Sequence, residues 1–195
     1  MFEFYTNGRL AWLSVLKNAC SSYGHVFSKL GWQPHDLYTT KIDPASLIWI
    51  GLLRDPNVRH SMGVVQYLME QKLEACLDEP LCHPFLTSAC LDAHSMPVTS
   101  QIPENIVSRA HWFVMDHPVY DYEKLLRNFL RNHRCELPPV PRINQSHPGK
   151  KLLQQRLDQI KAQNPDSYNR LQMVLGADLR LYRHRLQMQH LYDTP

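Results

Sequence analysis

The sequence lacks a long apolar segment, and its longest apolar run, around residues 47–53, is far too short to cross a bilayer. The N-terminus lacks the basic-then-apolar pattern of a secretory signal. The five cysteines are odd in number and contain no Cys-x-x-Cys pair. We therefore expect reduced thiols in a cytoplasmic protein without a membrane partner.

Strong net charge is also missing. The formal charge of +3 does not indicate a nucleic-acid-binding protein, but it is compatible with a local basic site for a small anion. With 195 residues and an apolar fraction of 44%, the chain fits one globular domain, which we predict to span residues 1–195. The spacing of Cys82, His83, Cys90 and His94 matches no familiar zinc pattern, so we expect no metal.

Apolar runs alternate with helical patterns in the first half of the chain. This order predicts an α/β fold, with a parallel sheet flanked by helices and a helical C-terminal extension. The predicted strands are residues 11–16, 46–53 and 111–115. The predicted helices are residues 22–30, a segment from Asp55 to Leu73, a segment opened by Asp121, and the region from Lys150 onward. The predicted loops are residues 78–104 and 136–149.

A lysine and small polar side chains follow the first predicted strand. The segment LSVLKNACSSYGHVF places Lys17, Ser21 and Ser22 between a strand and a helix. The N–H groups and the dipole at a helix start favour an anion, and a lysine adds positive charge. The glycine patterns Gly-x-x-x-x-Gly-Lys-Ser/Thr and Gly-x-Gly-x-x-Gly are absent. Taken alone, the segment is equally typical of an ordinary strand–helix turn.

An arginine ends the most apolar predicted strand, in IWIGLLRDPNVRHSMGVV. Ligands of open α/β sheets bind at the carboxyl ends of strands, where the Arg54 guanidinium is suited to hold a phosphate. Arg59 and Ser61 follow in the first turns of the next helix. Taken alone, pairing of Arg54 with a carboxylate or a helix end explains this arginine as well.

Together, the two segments resemble the donor-binding elements of sulfotransferases that use 3′-phosphoadenosine-5′-phosphosulfate (PAPS). The first resembles their 5′-phosphosulfate loop and the second their 3′-phosphate motif. The segment LKNACSS is similar to the loop of carbohydrate sulfotransferases. The resemblance continues in order to about residue 182, and the chain is similar in size to short bacterial and phage forms. The later matching segments are DAHSMP, HWFVMDHPVYDYEKLLRNFL, PVPRINQS and YNRLQMVLGADLRLY.

The resemblance implies a P-loop-like sulfotransferase architecture, with PAPS as co-substrate and transfer to an acceptor hydroxyl, expected on a carbohydrate. No nucleic acid is expected as a partner. In the family the 3′-phosphate serine stands eight residues after the arginine. This chain has Met62 at that position, and Ser61 lies one residue earlier. The residues implied to hold the nucleotide are Lys17, Asn18, Ala19, Cys20, Ser21, Ser22, Arg54 and Ser61.

Sulfuryl transfer resembles in-line phosphoryl transfer and needs charge stabilisation and a proton acceptor. We predict that Lys17 stabilises the leaving phosphate and the sulfuryl oxygens. His94, in the segment DAHSMP, and His35, between the two donor-binding segments, are the candidate bases. Asn144 and Ser146 are candidates for nucleotide contacts and are equally explained as turn residues.

Two other functions stay open at the level of sequence. A nucleotide-binding phosphotransferase, of kinase-like type, would have to hold its phosphates without the usual glycine-rich loop. A catalytically inactive PAPS-binding relic would explain the displaced Ser61 and the absence of one clear base.

Overall fold

The computed structural model describes residues 2–141 and 148–193. Within these ranges the strands are β1 (Glu3–Thr6), β2 (Leu10–Leu13), β3 (Gln33–Asp36), β4 (Ile48–Leu53) and β5 (His111–Val114). The α-helices are α1 (Cys20–Lys29), α2 (Pro56–Gln71), α3 (His83–Ser88), α4 (Val98–Gln101), α5 (Glu104–Arg109), α6 (Tyr122–Asn132), α7 (Pro148–Gln163), α8 (Pro165–Val174) and α9 (Gly176–Met188). Short 3₁₀ turns lie at Pro44–Ser46, Glu74–Leu77, Pro80–Cys82 and Gln189–Tyr192.

The chain divides into two compact units, each assembled from separate stretches of sequence. The sheet unit contains the described residues up to Arg54, residues 102–141 and the chain from Leu181. The helical unit contains residues 55–101 and 148–180. Each unit is described below by itself, and the single domain expected from the sequence stays a prediction.

The sheet unit contains a five-stranded sheet in the order β3-β1-β2-β4-β5. Strands β2, β4 and β5 are parallel neighbours, which confirms the α/β class. Strand β1 is antiparallel to both of its neighbours, so the sheet is mixed, and the predicted parallel arrangement holds for β2, β4 and β5. The physical reason is a tight hairpin between β1 and β2, where Gly8 adopts a φ of 88° that suits an Asn-Gly turn.

Both faces of the sheet are covered by helices of the same unit. Trp12 and Phe113 share a buried cluster with Tyr23 and Phe27 of α1 and with leucines of α6. Side chains alternate along a strand, so Trp112 lies on the opposite face from Phe113. There its Nε1 donates a hydrogen bond to the carbonyl of Val107 in α5 over 2.9 Å. A mixed sheet flanked by helices is thus the observed architecture.

The helical unit is built around α2. The side chain of Asp55 accepts hydrogen bonds from the backbone N–H groups of Asn57 and Val58, and Pro56 is the first helical residue. This start confirms the predicted N-cap and first turn. The buried core that α2 shares with α3, α7 and the Glu74–Leu77 turn is formed by Val64, Val65, Leu68, Leu77, Leu86, Leu157 and Ile160.

Residues 78–104 were expected to form a loop, and this expectation was partly wrong. They contain α3, α4 and the beginning of α5, each of six residues or fewer. Helices of that length are too short to show a clear 3.6-residue period in the sequence. The helical character expected after Lys150 is confirmed by α7, α8 and α9. No helix in the described part of the chain is both long and apolar enough to cross a bilayer.

Candidate functional site

The loop between β2 and α1 has an unusual backbone. Lys17 and Ala19 adopt left-handed φ values of 64° and 58°. Such values are unfavourable for residues with a side chain and often mark functional loops. Ala19 is the N-cap of α1, provides no side-chain cap, and is followed by no acidic residue in the first turn. The positive end of the α1 dipole is therefore not neutralised by the first turn itself, and an anion is favoured there.

Asn18 anchors this loop to the neighbouring parallel strand. Its side chain is 1% exposed, and its Nδ2 donates to the carbonyl of Leu52 in β4 over 2.7 Å. The Oδ1 atom of the same amide is buried and accepts no hydrogen bond among the described residues. An unsatisfied buried acceptor is unfavourable, so the loop holds its conformation against a local energetic penalty.

Arg54 lies directly after β4 and contacts the same loop. Its Nη1 donates to the backbone carbonyl of Lys17 over 3.0 Å. Strands β2 and β4 are parallel neighbours, so their carboxyl ends reach the same edge of the sheet. The structure therefore brings together the two basic residues that the sequence indicated, in one unit and through a direct hydrogen bond.

The surroundings of Arg54 combine burial with one nearby carboxylate. Burial lowers the pKa of Arg54, while Asp116 and Tyr122 act in the opposite direction. Asp116 also accepts a hydrogen bond from the Tyr182 hydroxyl over 3.0 Å. The planar guanidinium of a half-buried arginine is suited to bind a phosphate group through paired N–H donors.

A groove of about 230 Å³ lies beside the start of α1. In it, the Tyr5 hydroxyl donates to the Glu3 carboxylate over 2.9 Å, and burial together with Glu3 raises the pKa of Tyr5 to about 12. Gly24 allows the Tyr5 ring to approach, since an added Cβ would lie 3.2 Å from the phenolic oxygen. The groove is lined by Glu3, Tyr5, Ser14, Leu16, Cys20, Ser21, Gly24 and His25.

His35, one of the two predicted bases, lies in the edge strand β3. It pairs with Phe4, and the two rings stack with centroids 5.4 Å apart. Phe4 and Tyr5 are adjacent in β1 and so point to opposite faces of the sheet. His35 therefore lies on the face away from the Tyr5 groove, and its role as a base stays a prediction.

His94, the other predicted base, lies in the helical unit. Its Nδ1 is 2.7 Å from a carboxylate oxygen of Asp92, and its backbone N–H donates to the other oxygen over 2.9 Å. Gly63 of α2 allows this turn to approach, because an added Cβ would lie 2.5 Å from the His94 backbone. A carboxylate at Nδ1 favours the tautomer whose Nε2 accepts a proton, the arrangement expected of a general base. The catalytic role itself stays a prediction.

Ser61 is buried in the helical unit, and its hydroxyl is engaged by two charged residues. It donates to Asp158 over 2.7 Å and accepts a hydrogen bond from the Lys161 ammonium over 2.6 Å. Lys161 is 5% exposed, and burial lowers its pKa to about 8, partly opposed by Asp158 and Asp55. The predicted contact of Ser61 with a phosphate stays a prediction. The Asp158 carboxylate that accepts the Ser61 hydrogen bond would repel an anion at this position.

Glu3 and Tyr5 were not among the predicted site residues, because strand β1 was not predicted. The Asn7-Gly8 pair, a strong hairpin signal, was the available clue. The link of Ser61 to Lys161 joins residues a hundred positions apart, and no local pattern indicates it. Asn144 and Ser146 lie outside the described residues.

Comparison with models of known protein families, with curated proteins and with solved structures finds no match to this chain.

Proposed function

We propose that this chain is a sulfotransferase that takes a sulfuryl group from PAPS and passes it to an acceptor hydroxyl. The observation that carries the proposal is the hydrogen bond from Arg54 to the carbonyl of Lys17, at the common edge of β2 and β4. It joins, in one unit, the two basic segments whose order and residue sequence resemble the donor-binding elements of that family.

Each part of the loop has a role in holding the donor. Lys17 and the start of α1 provide positive charge for the 5′-phosphosulfate, through an ammonium group and a helix dipole. The Arg54 guanidinium is a planar group of N–H donors beside the Lys17 carbonyl, and it suits the 3′-phosphate. We leave Ser61 out of this donor site because its hydroxyl is bonded to Asp158 and Lys161.

The groove beside α1 is our proposed place for the acceptor. It shares Cys20 and Ser21 with the start of the helix, so a hydroxyl bound in it lies next to the phosphosulfate loop. Its polar lining of carboxylate, phenol, hydroxyl and imidazole groups suits a hydroxyl-rich molecule such as one sugar ring. Its 230 Å³ is below the roughly 300–1,000 Å³ of sites for drug-sized ligands, so the groove accommodates only a small group.

The transfer itself needs one proton acceptor. The acceptor oxygen attacks sulfur while the bond from sulfur to the bridging phosphate oxygen breaks, and the hydroxyl proton passes to a base. Glu3, oriented by the Tyr5 hydroxyl, is the carboxylate that the groove offers. His94, oriented by Asp92, and His35 stay predictions for the same role.

Calorimetric titration with 3′-phosphoadenosine-5′-phosphate, alongside ATP, tests the donor site. We expect the bisphosphate to bind in preference to ATP, and Lys17→Ala and Arg54→Ala each to weaken binding by roughly 10- to 100-fold, the value of a charged hydrogen bond. Lys29→Ala, an exposed lysine in the last turn of α1, is the matched control and should leave affinity unchanged. Preference for ATP would favour the phosphotransferase alternative, and no binding of either nucleotide would contradict both.

Glu3→Gln tests the groove separately from the donor site. We expect this variant to bind the bisphosphate normally but to lose transfer of labelled sulfate from PAPS to a panel of monosaccharides. Glu136→Gln, at an exposed carboxylate of the sheet unit that does not line the groove, is the matched control and should retain the transfer. Equal transfer by Glu3→Gln and the unaltered chain would remove Glu3 from the mechanism. Donor binding without transfer in the unaltered chain would favour the inactive relic.

A further inference from the structure

The 3₁₀ turn Gln189–Tyr192, which follows α9, packs an aromatic side chain against the sheet unit to which it belongs. The centroid of the Tyr192 ring lies 4.7 Å from that of Phe113 in β5 and 6.1 Å from that of Phe129 in α6. Phe113 is fully buried, and Tyr192 is half-buried against it. The turn therefore covers an apolar part of the sheet unit with one aromatic side chain.

A histidine completes this aromatic cluster. The ring of His111, at the start of β5, lies 4.6 Å from the Phe129 ring and 6.0 Å from the Tyr192 ring, centroid to centroid. Its Nδ1 atom is 3.4 Å from the Tyr192 hydroxyl, which is the donor of this long hydrogen bond when Nδ1 carries no proton. Tyr192 thus meets a titratable group through both its ring and its hydroxyl.

The surroundings of His111 disfavour a positive charge on its ring. Burial lowers the pKa of His111, and the nearby basic groups of His133 and Arg185 lower it further. Burial, together with Arg9, also lowers the pKa of His133, whose ring lies 4.6 Å from that of Phe129. A proton on His111 is therefore opposed by desolvation and by basic side chains that follow α6 and belong to α9.

Two other contacts hold the turn without an imidazole. Asp193 forms an ion pair with Lys124 of α6 over 3.2 Å, and both side chains are exposed, so this pair adds little to the docking of the turn. Gln189 bonds two backbone groups of β5 through a neutral amide, which does not titrate. Gln189 therefore keeps the turn attached to β5 at any pH, while Tyr192 depends on its aromatic neighbours.

We propose that Tyr192 is a pH-sensitive latch, docked on Phe113 and Phe129 while His111 is neutral and released when His111 is protonated. Because the docked form disfavours a charged His111, the released form binds the proton more readily. Docking is therefore strongest above the ordinary histidine pKa of 6.5 and weakens as the pH falls below it. Release exposes His111 to water and uncovers both phenylalanine rings, so an apolar surface becomes accessible at acid pH.

Fluorine NMR of the full chain, labelled with 3-fluorotyrosine, follows Tyr192 directly. Its resonance is identified by its absence in Tyr192→Phe. We expect this resonance to be shifted by the neighbouring aromatic rings at about pH 7.5 and to move to the position of the free amino acid by about pH 5.5, the range in which histidine changes charge. The resonances of the other tyrosines should keep their positions, since only the latch opens.

Two substitutions fix the charge at position 111. His111→Phe keeps an aromatic ring without a charge, so Tyr192 should stay docked at both pH values. His111→Lys introduces a positive charge, so Tyr192 should be released already at the higher pH. His184→Gln, at an exposed histidine of α9, is the matched control and should behave as the unaltered chain does.

Each of four results would overturn the proposal. They are a docked Tyr192 at the lower pH in the unaltered chain, release of Tyr192 in His111→Phe, docking of Tyr192 in His111→Lys, and movement of all tyrosine resonances together. The last result would mean that acid unfolds the whole chain and that no separate latch exists.

Discussion

The two units place their buried polar groups in different ways. In the sheet unit, polar side chains such as Asn18, Arg54 and Gln189 bond backbone carbonyls and N–H groups. The helical unit also buries ionisable side chains, among them His60, Lys161 and Asp178, and Lys161 bonds the Ser61 hydroxyl beside Asp158. The sheet unit therefore uses its polar groups to position a loop and a sheet edge, while the helical unit buries groups that titrate.

Because of this difference, we expect the pH dependence of stability and the binding of a ligand to depend on different units. A network of buried charges responds to pH, because each protonation change alters the folding free energy. Neutral amides that bond the backbone do not titrate. We therefore expect pH to act mainly through the helical unit, and ligand binding mainly through the sheet unit. All four tryptophans, Trp12, Trp32, Trp49 and Trp112, lie in the sheet unit, so tryptophan fluorescence reports on that unit alone.

The largest expected effect concerns His60 at acid pH. This histidine is fully buried, and burial, with Lys161 also contributing, lowers its pKa from 6.5 to about 3. Between these values the unfolded chain binds a proton that the folded chain does not, so stability falls as the pH decreases. The loss is roughly 4 kcal/mol across the window.

Replacing His60 with glutamine tests this assignment. The variant keeps an N–H donor for the carbonyl of Ala89 but no longer titrates. Urea unfolding, followed by circular dichroism from neutral pH to about pH 3, should show a smaller loss of stability than in the unaltered chain. His25→Gln, on the exposed side of α1, is the control. Parallel pH profiles for His60→Gln and the unaltered chain would contradict the prediction.

The second effect concerns Lys161 at alkaline pH. Its pKa is about 8 in the folded chain, compared with the ordinary 10.5. Between these values the unfolded chain keeps a proton that the folded chain has released, so stability rises with pH, by roughly 3 kcal/mol at most. In Lys161→Met this rise should disappear, while Lys29→Met should retain it. The measurement is the difference in urea-unfolding free energy between variant and unaltered chain, from about pH 7 to 10. If Lys161→Met keeps the full rise, the buried lysine is not its source.

The third effect concerns the edge of the sheet. Gln189 is fully buried; its Oε1 accepts from the N–H of Val114 over 3.0 Å, and its Nε2 donates to the carbonyl of Trp112 over 2.9 Å. This amide satisfies edge-strand groups of β5 that would otherwise be left unpaired. Gln189→Leu should lower the unfolding free energy by roughly 2 kcal/mol, measured by tryptophan fluorescence, with little pH dependence. The exposed Gln187→Leu is the control, and an equal effect of both substitutions would refute the role of Gln189.

Local pattern and strand order made part of this molecule predictable. The apolar run of β4, the Asp55–Pro56 helix start and the Asp121 cap were all visible in sequence. The meeting of Lys17 and Arg54 followed from the rule that adjacent parallel strands end at one edge. The edge strand β3, QPHD, could not be identified, since it has four residues and no apolar alternation.

Long-range side-chain contacts were beyond prediction. Gln189 and Val114 are 75 positions apart, and Ser61 and Lys161 are 100 apart. Such pairs depend on how whole elements pack, which one sequence does not reveal. The Asp92–His94 contact is short-range, because the aspartate precedes the histidine by two residues, so the sequence itself shows this pair.

The smallest expected effect on stability tests whether the strained loop serves binding. Ala19→Gly should relieve the left-handed backbone and stabilise the chain by about 1 kcal/mol, because glycine adopts such φ values without penalty. It should also weaken binding of 3′-phosphoadenosine-5′-phosphate severalfold. With glycine at this position the unbound loop would sample more backbone conformations, so the start of α1 would be less well positioned to bind an anion.

Lys72 provides the matched control in the helical unit. It has a φ of 57°, similar to the 58° of Ala19, at the C-terminal end of α2. Lys72→Gly should give a comparable gain in stability by urea unfolding and no change in nucleotide affinity by calorimetry. If Ala19→Gly behaves in the same way as Lys72→Gly, the left-handed residue at the start of α1 serves the fold alone. A loss of affinity confined to Ala19→Gly would tie the strain of this loop to the donor site.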